Sequence, residues 1–426
     1  MIKKGGKKMD ITTKTSSVLE EEIHVLSLPR GGKCYIIPKY GFKKSYAVIS
    51  FGYGSATTKF ILDKVEKTLP DGNAHFIEHK MFDNKEGNAI NEFLNAGANI
   101  NAFTDFNKTS YYFSSDDNFY SNLKRLVKMV TIPCFNEEAV EKEKSIITSE
   151  INMYNDNPAW RVYYNMLSKM YFSHPVKVGV AGTIDSVNSI SVSDLTKGYD
   201  AFYTLDNMKI VVCGDVKAEA VADTIIKNID KSFFKRTKCK SVFNKERTDI
   251  KGNYIKDDMN LKTPVFNLGF KFDPSINCLQ TVYAMKMLLD ILLGESSYFF
   301  EMAQKTSILK ENLSTQFLWS KEVSFIVVMG KSDVPKDVAN SIIQEVYHAK
   351  NNGINETDFN RIKKKHIGRF IRGFNSVQAI TMSQNELSAM NADLIDAFDV
   401  IKNININCLE KLLKEFDKNK AVLSIV

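Results

Sequence analysis

One supersecondary unit occurs twice in this chain, and a repeat of a strand followed by two helices calls for two sheets rather than one. In the first half the strand-like run Ser110-Tyr111-Tyr112-Phe113 leads into helical spacing from Asn118 to Val130, and Phe135-Asn136-Glu137-Glu138-Ala139-Val140 then opens a second helix. In the second half Phe325 to Met329 has the same strand character, Val338 to Asn351 the same helical spacing, and Ile354-Asn355-Glu356-Thr357-Asp358-Phe359 opens a basic helix. Each half closes on an apolar strand, Lys209 to Cys213 and Ala421 to Val426. A sheet must bury its apolar face against another layer. The pattern therefore predicts an α+β fold of two structurally similar domains, each an antiparallel sheet with helices packed on one face. A length of 426 residues also exceeds one ordinary core. Between the halves, 231–251 is rich in lysine and arginine with little apolar periodicity and reads as a solvated basic linker, leaving domains at 1–230 and 252–426.

The chemistry concentrates in His75-Phe76-Ile77-Glu78-His79. Residues four apart are neighbours on a helix, so His75 and His79 share a face and Glu78 falls on the adjoining flank. Two imidazoles with a carboxylate beside them offer a metal two ligands and a base, in the inverse order of the commoner His-Glu-x-x-His. Hydrolytic zinc sites usually keep three protein ligands and one open position, so a third ligand comes from elsewhere. Glu143 and Glu150 lie seven residues apart in helical spacing, on one stripe, while Ile146, Ile147 and Met153 are expected to face a core. Glu150 is assigned to the metal, and Glu143 joins the catalytic group as the acceptor that orients a ligand imidazole. The second half has no such set: Ile362 and Arg369 stand opposite Glu143 and Glu150, and Ala284 to Asp290 opposite the metal helix.

These residues resemble the pitrilysin/insulinase-type zinc peptidases, the inverzincins, and the resemblance covers most of the chain. It extends through Gly97-Ala98-Asn99-Ile100-Asn101-Ala102-Phe103-Thr104, Thr109 and Tyr111, then Met153-Tyr154, Asp156-Asn157-Pro158, His174-Pro175, Gly182-Thr183 and Asn375-Ser376. The wording His-Phe-Ile-Glu-His-Lys-Met-Phe is similar to bacterial, single-module members that work beside an inactive paralogue. The resemblance implies Zn2+ on His75, His79 and Glu150, with Glu78 as general base. It also implies an edge strand in which Asn101, Ala102, Phe103 and Thr104 contact an extended peptide substrate. An edge strand offers unpaired backbone groups to such a peptide, which is tolerant of side chains.

Active members of that family commonly use an arginine and a tyrosine in the non-metal half. The corresponding stretch, Gly294 to Leu313, has no arginine, and Tyr298, beside Phe299 and Phe300, is expected to pack. That departure points to a partner: a heterodimer with a motif-lacking paralogous subunit, with a homodimer as the other arrangement. The expected function is a zinc metalloendopeptidase that cleaves short unfolded peptides and matures a ribosomally made precursor. The alternatives are a non-proteolytic binding or scaffold subunit and a zinc hydrolase of another amide.

Composition excludes other classes. A net charge of +7 is modest at this length, and the lysines are scattered without interleaved aromatics, which argues against nucleic acid. No window approaches the roughly 20 apolar residues of a membrane span. The charged start Met1-Ile2-Lys3-Lys4 has no apolar stretch behind it, and six cysteines stand far apart with no pair at ligand spacing, so a reduced, cytoplasmic protein is expected.

Overall fold

The computed structural model describes residues 10–84 and 87–426, and the charged start at 1–4 lies outside them. Twelve strands form the two main sheets. They are β1 Ile11–Ser16, β2 Glu21–Ser27, β3 Lys33–Pro38, β4 Ser45–Phe51, β5 Ala98–Thr104, β6 Thr109–Ser115 and β7 Met208–Gly214, then β8 Tyr254–Lys256, β9 Val265–Lys271, β10 Ser314–Trp319, β11 Ser324–Lys331 and β12 Ala421–Ile425. Six helices matter: α1 Asn73–Lys80, α2 Glu137–Asn155, α3 Pro158–Met170, α4 Leu279–Leu293, α5 Glu356–Gly373 and α6 Val377–Ser388.

The chain forms two compact α+β units, each built on a largely antiparallel sheet. The first contains Ile151 and the described residues before it, Gly179–Val242 and Ile371–Ile395. Its seven strands run in the order β1-β2-β3-β7-β4-β6-β5, antiparallel except where β3 meets β7. Strand β4 is buried at all seven positions, as a strand covered on both faces should be. On one face Ser50 and Ser110 pair at 2.8 Å, and Ser50 donates to Asn385 of α6 at 2.7 Å. On the other, the alternate residue Tyr111 reaches Tyr203, with 2.7 Å between the hydroxyls.

The second unit comprises Asn152–Val178, Phe243–Phe370 and Asp396–Val426. Its five-stranded sheet has the order β8-β12-β9-β11-β10, with only β8 and β12 parallel. Helix α3 buries Val162, Met166, Leu167 and Met170, a helical stripe, against β9 and β12. The approach is close enough to require a glycine: a Cβ at Gly269 would stand 2.5 Å from Met166 Sδ and from Met170 Cε.

Helix membership does not follow chain order. Helix α3, from the first half of the sequence, covers the sheet of β8 to β12, and α6, from the second half, covers the sheet of β1 to β7. Boundaries at 230 and 252 follow composition along the chain, and composition does not record which sheet a helix covers. The basic segment is anchored at two points. Lys240–Ser241 pairs with the strand Lys59–Leu62, and Glu246 accepts backbone hydrogens from Phe172, Ser173 and His174 at 2.8 to 2.9 Å. Among the described residues no helix is long and apolar enough to cross a membrane, and all six cysteines are free.

Candidate metal centre

Helix α1 has only eight residues, too few to persist alone in water, and the surrounding unit holds it. Gly72 precedes it at φ +85°, where an added Cβ would meet Ala181 O at 2.3 Å. Asn73 at its first position accepts from the Tyr53 hydroxyl at 2.8 Å. Gly198 on the helix Val192–Phe202 lets that helix approach, since a Cβ there would stand 2.5 Å from Asn73 Oδ1. Seven of the eight residues are buried, including His75, Glu78 and Lys80. Burying such groups is costly unless each is partnered, so the helix is arranged for chemistry rather than for packing alone.

Across from α1 runs α2, which buries Val140, Ile147 and Ile151. Glu143 and Glu150 lie on the flank of that buried stripe. Ile146 and Met153, expected in the core, are instead 48% and 60% exposed. At about 100° per residue they fall beyond the two glutamates, on the side away from the core. Periodicity marked the apolar residues of α2 but not the direction of the core.

Three side chains converge. Glu150 Oε2 is 3.8 Å from His75 Nε2 and 3.5 Å from His79 Nε2. His75, His79 and Glu150 form the one group of three potential metal ligands among the described residues, with ligand atoms within 4.8 Å of one another. Donors about 2.1 Å from a shared zinc at tetrahedral angles would be roughly 3.4 Å apart, so the spacing suits zinc. Donor chemistry agrees. Glu143 Oε1 is 3.0 Å from His79 Nδ1. A carboxylate only accepts, so that nitrogen carries the hydrogen and Nε2 turns its lone pair toward Glu150. A cation between Nε2 and Glu150 would take the place of the proton that the raised His79 otherwise holds there. His75 Nδ1, by contrast, is buried with no hydrogen-bond partner.

The electrostatics differ across the helix. Burial pushes His75 down to about 3, the neutral state a metal ligand needs. Burial also opposes charge on His79, but the Glu143 bond and the charges of Glu78, Glu143 and Glu150 together lift it above its ordinary value. Glu78 is raised, chiefly by burial and against its bond from Thr104. Glu143 is lowered: burial works the other way, and the His79 bond and the Lys80 ammonium outweigh it.

Strand β5 is an edge of the seven-stranded sheet, bonded to β6 alone. Asn101 is exposed, and Ala102, Phe103 and Thr104 are half-buried. The Thr104 hydroxyl turns to α1 and donates to Glu78 Oε2 at 2.6 Å, a contact that sequence spacing did not reveal. Lys80 was also missed; the signal available was a lysine inside an otherwise buried helix. Tyr298 does not pack as expected. It is the first residue of the helix Tyr298–Thr306 and is 69% exposed, while Phe299 takes the buried position. In the second unit Ile362 of α5 is fully buried, Arg369 is exposed, and Ala284 to Asp290 lie within α4, so the counterpart elements are present without the ligands.

Comparison with known proteins gives the same class. Residues 65–184 match the family model described as insulinase, peptidase family M16, and residues 189–365 match the M16 inactive domain. The uncharacterized zinc protease YmfH of Bacillus subtilis is 34% identical over 412 residues, covering 93% of this chain and 94% of that protein. The crystal structure of an M16-like peptidase from Alicyclobacillus acidocaldarius superposes with a TM-score of 0.89 at 27% identity, covering 99% of each chain. A protease from Helicobacter pylori shares the fold, with a TM-score of 0.81 at 16% identity over 95% of this chain and 99% of that one. The chain belongs to the pitrilysin/insulinase family of peptidases, M16, several of whose members carry the name zinc protease.

Proposed function

We propose that this chain is a zinc metalloendopeptidase of the inverted His-x-x-Glu-His type, with His75, His79 and Glu150 holding the metal. The observation that carries the reading is the convergence of those three side chains beside a buried glutamate. Zinc held there supplies Lewis acidity, lowering the pKa of a water and polarising an amide carbonyl. Glu78 is the base: the oxygen that Thr104 does not hold, Oε1, takes a proton from water and later returns it to the leaving amine. Burial raises Glu78 above the ordinary carboxylate value, which makes it a better proton acceptor. Glu143 fixes the ring of His79 and its tautomer.

The peptide lies along β5, pairing with the open backbone edge of Asn101, Ala102, Phe103 and Thr104, so that extended, unfolded peptides are taken with little sequence preference. Maturation of a ribosomally made precursor fits that tolerance. The M16 inactive domain matched by residues 189–365 and the absence of arginine from 294–313 support a motif-lacking paralogous subunit as partner. The intact quartet of His75, Glu78, His79 and Glu150 disfavours a purely scaffolding role. The test is zinc stoichiometry together with cleavage of a quenched unfolded-peptide library, by the chain alone and mixed with a candidate paralogue. About one zinc per chain with cleavage that rises on mixing is expected; a chain that binds no zinc overturns the reading.

A further inference from the structure

Lys80 is 2% exposed on a helix position that an apolar side chain would fill without burying a charge. Its ammonium stands 3.2 Å from Glu143 Oε2 and also bonds Asp83 Oδ2, just beyond the end of α1. The other oxygen of Glu143 is the one that faces His79 Nδ1, at 3.0 Å. Each oxygen of this carboxylate is thus held from α1, one by His79 and one by its chain neighbour Lys80. A carboxylate gripped at one oxygen can rotate about that contact; gripped at both, its plane is set. The ring of His79 inherits that orientation, and with it the direction of Nε2 toward Glu150.

We infer that Lys80 is a positioning residue for zinc, acting through Glu143 on His79, an inference that rests on the metal reading above. Two physical effects of the lysine have opposite signs. Its positive charge repels a divalent cation, so removing it would tighten binding if charge alone mattered. Its grip on Glu143 aligns a ligand, so removing it should weaken binding if positioning dominates. Groups that orient a metal ligand through one hydrogen bond commonly change affinity by about ten- to a hundredfold, and the charge of Lys80 is already offset by its ion pairs with Glu143 and Asp83.

The experiment measures the zinc dissociation constant of the full chain by competition with a chromophoric chelator, with the melting temperature of the zinc-free protein as a check on folding. Lys80→Met should weaken zinc by roughly ten- to a hundredfold, and Lys80→Arg should recover most of it. In a Glu143→Ala background, where the lysine keeps only Asp83 and no longer touches the partner of His79, Lys80→Met should add no further loss of zinc. Zinc bound as tightly as in the wild type, or more tightly, by Lys80→Met overturns the inference, as does a fully additive double variant. Should Lys80→Met fail to fold, Lys80→Leu, which fills the buried position and offers no donor to Glu143, replaces it with the same expected loss and the same overturning result. Glu150→Ala separates the two levels. If it keeps wild-type affinity, the metal reading fails; if it loses zinc while Lys80 variants do not, only the role of Lys80 fails.

Discussion

Thr104 and Glu78 sit on different elements, and the hydroxyl of one donates to the carboxylate of the other at 2.6 Å. The direction follows from the acceptor: a carboxylate oxygen takes a hydrogen and the Thr104 hydroxyl has one to give, at a shorter distance than its 3.1 Å approach to Thr109 Oγ1. Thr109 Oγ1 gives its own hydrogen to Tyr53 O at 2.9 Å. Strand and helix are thereby joined at the group proposed as the base.

Thr104→Val keeps the shape and the strand but removes that donor. A lost hydrogen bond to a charged group corresponds to about 1.5 to 3 kcal/mol, so kcat should fall roughly ten- to a hundredfold with KM nearly unchanged. Thr104→Ser should restore it. A variant whose KM alone rises would identify the hydroxyl as a substrate contact instead.

Glu78→Gln leaves His75, His79 and Glu150 in place. It should retain about one zinc per chain and lose peptide cleavage by two to four orders of magnitude, the usual contribution of a general base. Unchanged turnover, measured against metal content, would remove Glu78 from the mechanism.

Zinc affinity should rise with pH. Protons compete for His79 Nε2, whose pKa lies above the ordinary histidine value of about 6.5 before metal binds, so affinity should climb as pH rises through and past that value. Titration with a chelator at several pH values checks the slope. A flat profile there would contradict the ligand assignment.

The second unit should be sensitive to acid for reasons separate from the metal. Burial lowers His174 to about 4, so the unfolded state, with its ordinary histidine, binds more protons, and stability is lost as pH falls from about 6.5 toward that value. Glu246 is held at about 2; burial opposes this, and the backbone hydrogens of Phe172, Ser173 and His174 outweigh it. Its contribution is complete above about 4.5 and lost on the way down to about 2. Glu246→Gln should destabilise by about 2 kcal/mol at neutral pH, read from urea unfolding, and flatten the lower part of the acid transition. An unchanged transition would mean the segment does not depend on this carboxylate.

Much of the fold was legible because periodicity and repetition are properties of the chain itself. The strand before each helix pair, the helical placement of His75, Glu78 and His79, and the seven-residue step from Glu143 to Glu150 follow from spacing. What spacing leaves out is direction and partner. Ile146 and Met153 are as apolar as Ile147, and only the position of the core distinguishes them. Thr104 lies in a strand whose backbone faces outward, yet its side chain meets α1, because that depends on how strand and helix cross. The partners of Lys80 lie on α2 and beyond α1, and the destinations of α3 and α6 depend on pairings hundreds of residues apart.

The trading of α3 and α6 has a consequence for dissection. Severing the chain within 231–251 would not release two self-sufficient pieces. The amino-terminal fragment would carry α3 with Met166 and Met170 stripped of β9, and it would leave Ser50 and Ser110 without α6 above them. Expressed separately, such fragments should be insoluble; co-expressed, they should reassemble by complementation, as interlocked parts do.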